Sequence, residues 1–171
     1  MKRLAASLLA LTALSAAPAL AEPVSLHAVR DALNMGGLKG AQIGIVFGQP
    51  MVSGDLQGIG TVAALRRCGE GVAGRACEEV AFKACIQLKP VADRLALLES
   101  ANAYNLERYA GVMVIDANNL LGDVACVMLH IDLRGDTVFG MHEVYHWQQA
   151  LTDFRSYLLD TDAPVLNPDQ L

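Results

Sequence analysis

Hydrophobic positions along the chain alternate between helical and extended spacing. Leu26, Val29 and Leu33 recur three or four residues apart after Ser25, a residue type that caps helix N-termini, and Gly36-Gly37 interrupts the pattern. The first segment is therefore predicted to be an amphipathic helix.

Extended segments follow this helix. Residues 41–47 form a short β-prone run, and a turn is predicted at Gln49-Pro50. A second extended piece begins at Met51 or Ile59 and ends at Arg67. Residues 77–89 alternate between apolar and polar side chains, as expected for a half-buried strand. The apolar face of that strand carries every second residue: Val80, Phe82, Ala84, Ile86 and Leu88.

A second helix is predicted to open at Pro90, where the missing N–H of proline costs no hydrogen bond. Leu95, Leu98 and Ala101 are predicted to form its apolar side, and it is predicted to end near Arg108.

Two further strands and a helix complete the pattern. Strands are predicted over residues 110–116 and 123–133, joined by a turn at Asn118-Asn119, and a helix over residues 138–159. The order α-β-β-β-α-β-β-α predicts an α+β fold. We expect an antiparallel sheet of about five strands with the helices on its apolar face.

The N-terminus has the pattern of a secretory signal peptide. Lys2 and Arg3 precede an apolar stretch over residues 4–14, and Ala19-Leu20-Ala21 suits a cleavage site. We expect a signal peptide over residues 1–21, a single domain over 22–160 and a flexible tail over 161–171. The protein is therefore expected in the periplasm or outside the cell, with no membrane insertion after cleavage.

Charge argues against nucleic acid as a partner. Two of the 13 basic residues and none of the 18 acidic ones lie within residues 1–21, so the mature chain carries a formal charge of −7 instead of −5. A negative surface repels phosphate backbones and anionic lipids.

Four cysteines remain after the predicted cleavage. Cys68 and Cys77 bracket a turn-rich run, and an oxidising compartment permits disulfides, so we predict a bridge between them. The spacing does not suit a zinc site of the Cys-x2-4-Cys type. Cys85 and Cys126 lie on the same sheet face if the third and fifth predicted strands pair. They then form a second bridge or remain two buried thiols, and the sequence leaves both alternatives open.

The central part of the chain resembles the YbjN domain family, described as proposed bacterial sensory transduction regulators. The resemblance rests on NAYNLERYAGVMVID with Asn102 and Asn105, on VACVMLHIDLRGD and on LTDFRSYL, and it covers most of residues 25–160. It implies a fold similar to that of type III secretion chaperones, a role in protein binding, no cofactor and no established catalytic residue. Asn102 and Asn105 share a helix face. They are interpreted as hydrogen-bonding the backbone at the helix–strand junction, with ligand contact as the alternative.

A second motif competes with this interpretation. His142-Glu143-Val144-Tyr145-His146 matches HExxH, in which two histidines bind zinc and the glutamate acts as general base. The apolar stripe of the same helix turns His142 and His146 towards the polar side, and no later residue can form a wall over them. The stripe consists of Val144, Trp147, Leu151, Phe154 and Leu158. A solvated histidine pair is the preferred interpretation.

Three functions follow from these patterns. The first is an exported, non-enzymatic interaction or regulatory module, chaperone-like in its use of the sheet's polar face or a helix groove to bind a protein of unknown identity. The second is a zinc-dependent hydrolase that uses His142, Glu143 and His146. The third is an envelope sensor that binds a small ligand. The protein is expected to be a monomer or a homodimer.

Overall fold

The computed structural model of the chain describes residues 24–68, 77–89, 94–107, 110–116, 123–134 and 138–161. The predicted signal peptide, the predicted turn at Asn118-Asn119 and all of the predicted tail except Thr161 lie outside the described residues. The described elements are, in chain order, α1 (Leu26–Met35), β1 (Lys39–Val46), β2 (Gln49–Leu56), β3 (Ile59–Cys68), β4 (Cys77–Gln87), α2 (Arg94–Glu107), β5 (Val112–Asp116), β6 (Val124–Asp132) and α3 (Met141–Asp160).

The strands form one antiparallel sheet in the order β1-β2-β3-β4-β6-β5. Buried side chains from all three described helices join a single core cluster with alternate residues of the strands. The helices therefore cover one face of the sheet, and the predicted α+β class is confirmed. None of the helices in the described ranges has both the length and the hydropathy needed to span a membrane.

The sheet has six strands because the second predicted extended piece divides into β2 and β3. The chain turns at Gln57-Gly58, where both residues have positive φ, 58° and 84°. Such pairs fit the twist of a two-residue hairpin. The Asp55 carboxylate accepts a hydrogen bond of 3.0 Å from the Gly58 N–H and so holds the turn.

The first hairpin turns two residues earlier than predicted. Phe47 and Gly48 occupy the turn with φ of 51° and 76°, whereas Gln49 already pairs with Val46. The prediction of a turn at Gln49-Pro50 is wrong because Pro50 fits within β2. The pair that closes a two-residue hairpin exchanges both hydrogen bonds, so the next pair, Ile45 with Pro50, requires no N–H from the proline.

The core stripe of α3 is confirmed. Val144, Trp147, Leu151, Phe154 and Leu158 are all buried. The indole of Trp147 stacks on the Phe82 ring of β4, with ring centroids 5.1 Å apart and planes inclined by 15°. This contact anchors the longest described helix at the middle of the sheet.

The apolar side predicted for α2 is wrong in part. Leu95 and Leu98 are exposed, whereas Leu97, Ala101 and Tyr104 are buried. The second set also has helical spacing, so periodicity alone did not separate two overlapping stripes. The aromatic ring decides the orientation of the helix, because Tyr104 packs edge-on against Phe154 and Tyr157 of α3.

Both cysteine pairs form disulfides between directly opposed residues of neighbouring strands. Cys68 bonds to Cys77 across β3 and β4, and Cys85 bonds to Cys126 across β4 and β6. The first prediction is confirmed, and the alternative left open for Cys85 and Cys126 resolves as a bridge.

Candidate functional site

The two histidines of the HExxH motif lie on the exposed side of α3. The ring centroids of His142 and His146 are 4.4 Å apart. They border an open groove of about 430 Å³ together with Ala110, Tyr145 and Gln149. A second groove joins them to the end of β6 at residues 129–132. The residues that border these grooves from outside α3 precede it in the chain, whereas the sequence-based expectation concerned only the residues that follow His146.

Glu143 of the same motif belongs to the structure of the helix. Its side chain is buried, and its Oε2 accepts a hydrogen bond of 2.8 Å from the Gly140 N–H. Glu143 is the third residue of α3, where a carboxylate satisfies a free backbone donor and interacts favourably with the helix dipole. The carboxylate of the motif is thus already used as a helix cap.

Among the described residues, metal ligands are not assembled around this pair. Within the described ranges, no cluster of three or more His, Cys, Asp or Glu side chains could hold a metal ion. His130, the nearby histidine of β6, has its Nδ1 at 2.8 Å from Glu79 Oε1. The residues present therefore do not fit the three-ligand arrangement of a catalytic zinc centre.

Asn105 closes the edge of the sheet. Its Oδ1 accepts a hydrogen bond of 2.7 Å from the Met113 N–H, and its Nδ2 donates one of 3.0 Å to the Met113 carbonyl. Met113 lies on β5, the last strand of the sheet, so these two backbone groups face away from β6. Asn105 therefore binds the backbone at the helix–strand junction, whereas Asn102 is exposed on α2.

The second face of the sheet is called here the open face: it consists of the strand residues whose side chains point away from the three helices. Its charged groups gather at one end around the buried carboxylate of Glu79. This carboxylate lies 2.8 Å from His130, 3.4 Å from Arg67 and 3.8 Å from Arg66. Cys68 and Cys77 follow these residues at the same end of the ladder.

Asp132 lies beside Glu79 in the sheet and forms a separate ion pair with Arg134. The Arg134 side chain donates hydrogen bonds to both oxygens of the Asp132 carboxylate, and the Arg134 N–H donates another at 3.0 Å. Together with the charge of Arg67, these contacts lower the pKa of Asp132 from 3.8 to about 2. The carboxylate stays ionised across the physiological range of pH.

Away from this end, the open face exposes apolar side chains. Val112 and Val114 of β5 are 54% and 41% exposed. Val62 of β3 and Met128 of β6 are partly exposed on the same face. They lie on either side of Lys83 of β4, and Met128 is paired with Val112. The sequence did not indicate which side of β5 is exposed, because Val112 and Val114 alternate with the equally apolar Met113 and Ile115.

A second exposed apolar surface follows the opposite edge of the sheet. Ile43, Ile45, Val46 and Phe47 at the end of β1 and in its turn are all exposed, and Phe47 is fully exposed at 105%. The sequence signal that could have found it is the Phe47-Gly48 dipeptide, in which an aromatic residue takes the place that Asn or Asp usually fills before glycine in a hairpin turn.

Comparisons with known proteins identify the fold. No family model matches the chain, and no curated protein matches it in sequence. Among solved structures, the chain is similar to YbjN from E. coli, described as a proposed transcription regulator. The TM-score is 0.61 at 14% sequence identity, over 87% of this chain and 100% of that one. The chain therefore has a YbjN-like fold.

Proposed function

We propose that this protein is an exported, non-enzymatic module that binds a protein partner on the open face of its sheet. The observation that carries this proposal is the exposure of Val112 and Val114 next to each other on a face that no described helix covers. Contiguous exposed apolar side chains on a soluble protein are typical of binding surfaces.

The arrangement of charge on the open face supports the same proposal. The apolar residues occupy β5 and the centre of β6, while Glu79, His130 and the two arginines lie at one end. Protein interfaces commonly combine an apolar centre with a polar rim, and arginine is enriched in them. Because Asn105 already occupies the outward backbone groups of Met113, a partner is expected on the face rather than along this edge.

Export is supported by the pattern of residues 1–21 and by two disulfides, which persist in oxidising compartments. A non-enzymatic role is supported by the use of Glu143 as a helix cap. The description of the E. coli protein as a proposed regulator is consistent with a function exercised through binding. The acidic charge favours a protein partner over DNA.

Site-specific photocrosslinking in the native envelope tests the proposal. A photoreactive amino acid at Val114 is expected to give one defined crosslinked species, because its side chain points from the open face. The matched control is Leu159 of α3, which is 56% exposed and lies outside this face. Val112→Lys is expected to abolish the Val114 crosslink without loss of folding. Equal crosslinking at Val114 and Leu159, or persistence of the species in the Val112→Lys variant, would contradict the proposal.

Export is tested separately with a reporter. Residues 1–25 are fused to alkaline phosphatase, which is active only after its own disulfides form outside the cytoplasm. Activity is expected from the fusion and is expected to disappear when Leu8 and Leu9 are both replaced by arginine, because the apolar stretch of a signal peptide does not tolerate charge. Equal activity of the two fusions would refute export by this segment.

A further inference from the structure

The first strand of the sheet leaves one side of its backbone open. β1 is the outermost strand, and within the described residues it pairs only with β2. Its residues Ile43, Ile45 and Val46 are 39%, 61% and 45% exposed, and Phe47 follows in the turn. Natural sheets protect such edges with charges, proline, bulges or a covering element, because a bare apolar edge pairs with other strands.

The opposite edge of the same sheet shows how this protein protects a strand. Asn105 occupies the outward N–H and C=O of Met113 on β5, and α2 packs beside that strand. The one charge on β1 is Lys39 at its start, and the irregularity in its pairing lies between Lys39 and Gln42, away from the apolar residues. Within the described residues, Asn105 occupies the outward groups of β5, whereas β1, which α1 also contacts, has no strand on its outer side.

The register of the first hairpin fixes which backbone groups of β1 point outward. Val46 and Gln49 close the two-residue turn and exchange both of their hydrogen bonds, so hydrogen-bonded pairs alternate from there along the strand. Gly44 with Met51 is the next hydrogen-bonded pair. The N–H and C=O groups of Ile43 and Ile45 therefore point away from β2, towards the open side.

We infer that β1 pairs antiparallel with β1 of a second copy of this chain, with Gly44 facing its own counterpart on a two-fold axis. In this register Ile43 of each copy exchanges two hydrogen bonds with Ile45 of the other, and the isoleucine side chains meet on one face. The two six-stranded sheets become one continuous sheet. The interface is isologous, as expected for a two-fold dimer.

The chemistry of the strand favours a copy of itself as the occupant. Antiparallel pairing places Lys39 of each chain at opposite ends of the interface, so that like charges do not meet. Glycines at the axis present no side chain where the two backbones approach most closely. In one copy an added Cβ at Gly44 meets nothing within 4 Å, so the fold itself does not require glycine there. Phe47 adopts a backbone conformation unusual for a bulky residue, and pairing provides the contact that its ring lacks in one copy.

The area is sufficient for a weak dimer. The exposed side chains of Ile43, Ile45, Val46 and Phe47 amount to roughly 400 Å² per chain, since a single aromatic side chain buries about 150–250 Å². With all of this area and the paired backbones buried, two copies reach about 1,000 Å², which is in the range of weak, transient interfaces. The inferred dimer is therefore one that dissociates on dilution.

Sedimentation of the oxidised mature chain, residues 22–171, tests the dimer. A concentration-dependent dimer is expected at micromolar to tens of micromolar protein. Ile45→Lys and Ile45→Pro are expected to weaken association at least ~10-fold, because a charge or a missing outward N–H blocks edge pairing. Leu159→Lys is the matched control, an exposed apolar residue changed to the same charge outside β1.

A disulfide across the axis tests the register. All four native cysteines are paired, so Gly44→Cys provides the only free thiol and is expected to crosslink two chains on a non-reducing gel. Gln42→Cys is the control, since residue 42 faces residue 46 of the other copy in this register. A monomer at all concentrations, a dimer that survives both Ile45 variants, or crosslinking of Gln42→Cys instead of Gly44→Cys would overturn the inference. If β1 instead binds another segment of the chain or a different protein, the protein is expected to stay a monomer at all concentrations, and the inference is overturned.

Discussion

Glu143 illustrates how one side chain satisfies two patterns at once. In HExxH it stands for a general base, and at the third position of a helix it stands for a cap. The position of its carboxylate, 2.8 Å from the Gly140 N–H and buried at the start of α3, matches the second. His142 and His146 likewise match the motif in sequence only, because both are exposed, whereas the ligands of a catalytic metal lie in a closed site.

We expect Glu143→Ala to lower the free energy of unfolding by about 1 kcal/mol, because the Gly140 N–H loses its acceptor and the helix loses a favourable charge. Urea denaturation followed by circular dichroism measures this change. Glu143→Gln keeps an acceptor and is expected to recover part of it. His142→Ala and His146→Ala serve as controls within about 0.5 kcal/mol of the parent protein. An unchanged stability of Glu143→Ala would exclude the capping role.

The pair formed by Asp132 and Arg134 predicts a dependence on pH. The folded pKa of Asp132 is lowered from 3.8 to about 2, so its contribution to stability is fully present above pH 4 and is lost as pH falls through 2. A carboxylate titration by NMR is expected to give a midpoint near 2 for Asp132. Arg134→Gln removes the guanidinium hydrogen bonds and charge, which are the largest cause of the lowered pKa, but keeps the backbone N–H donor, so it is expected to return the midpoint part of the way towards 3.8. A midpoint that does not move on this substitution would contradict the assigned cause.

At the scale of elements, the amide of Asn105 links the short helix–strand unit of α2 and β5. Asn105 makes both of its described hydrogen bonds to the backbone of Met113. An amide matches the donor and the acceptor of one residue at the same time, which explains why Asn is suited to a strand edge. The same two bonds connect α2 to the edge of the sheet, in addition to the packing of Tyr104 against α3.

Replacing Asn105 by alanine is expected to cost about 1–3 kcal/mol of unfolding free energy, since two hydrogen bonds are lost at a partly buried site. Asn102→Ala, an exposed change of the same chemistry on the same helix, is expected to stay within about 0.5 kcal/mol. Equilibrium unfolding in urea compares them. Equal effects of the two substitutions would show that Asn105 has no special part in holding β5.

The elements differ in how far the sequence determines them. The α3 stripe from Val144 to Leu158 and the alternation of β4 were predictable because each has one dominant period. The division of β2 from β3 was not, because Gln57 gives no sign that it adopts positive φ. Leu95 and Leu98 were assigned to the core because their spacing is as regular as that of the residues that are buried. Only the packing of Tyr104 against α3 separates the two stripes.

At the scale of the whole molecule, the two disulfides connect the central strands of the sheet. Cys68–Cys77 closes a local hairpin with a sequence separation of 9, whereas Cys85–Cys126 spans a separation of 41 that contains α2 and β5. Whether Cys85 and Cys126 meet depends on strand order, a long-range property that local patterns do not encode. For this reason the sequence left their pairing open.

Removal of the second bridge is expected to be the more destabilising change. In the chain-entropy model the longer loop contributes about 4 kcal/mol and the shorter one about 3 kcal/mol. The Cys85→Ala/Cys126→Ala and Cys68→Ala/Cys77→Ala double variants, unfolded in urea under oxidising conditions, allow the comparison. The opposite order of stability would mean that strain or residual structure in the unfolded chain outweighs loop entropy.

The order of the four cysteines has a consequence for biogenesis. Four cysteines can pair in three ways, and this protein uses the one in which the first cysteine bonds to the second and the third to the fourth. If the chain is exported from its N-terminus, an oxidase that joins thiols in the order in which they emerge makes the native bonds directly. Cys68 and Cys77 form their bond before Cys85 emerges, and Cys85 then stays reduced until Cys126 emerges. Maturation of this protein would therefore require an oxidant but no disulfide isomerase.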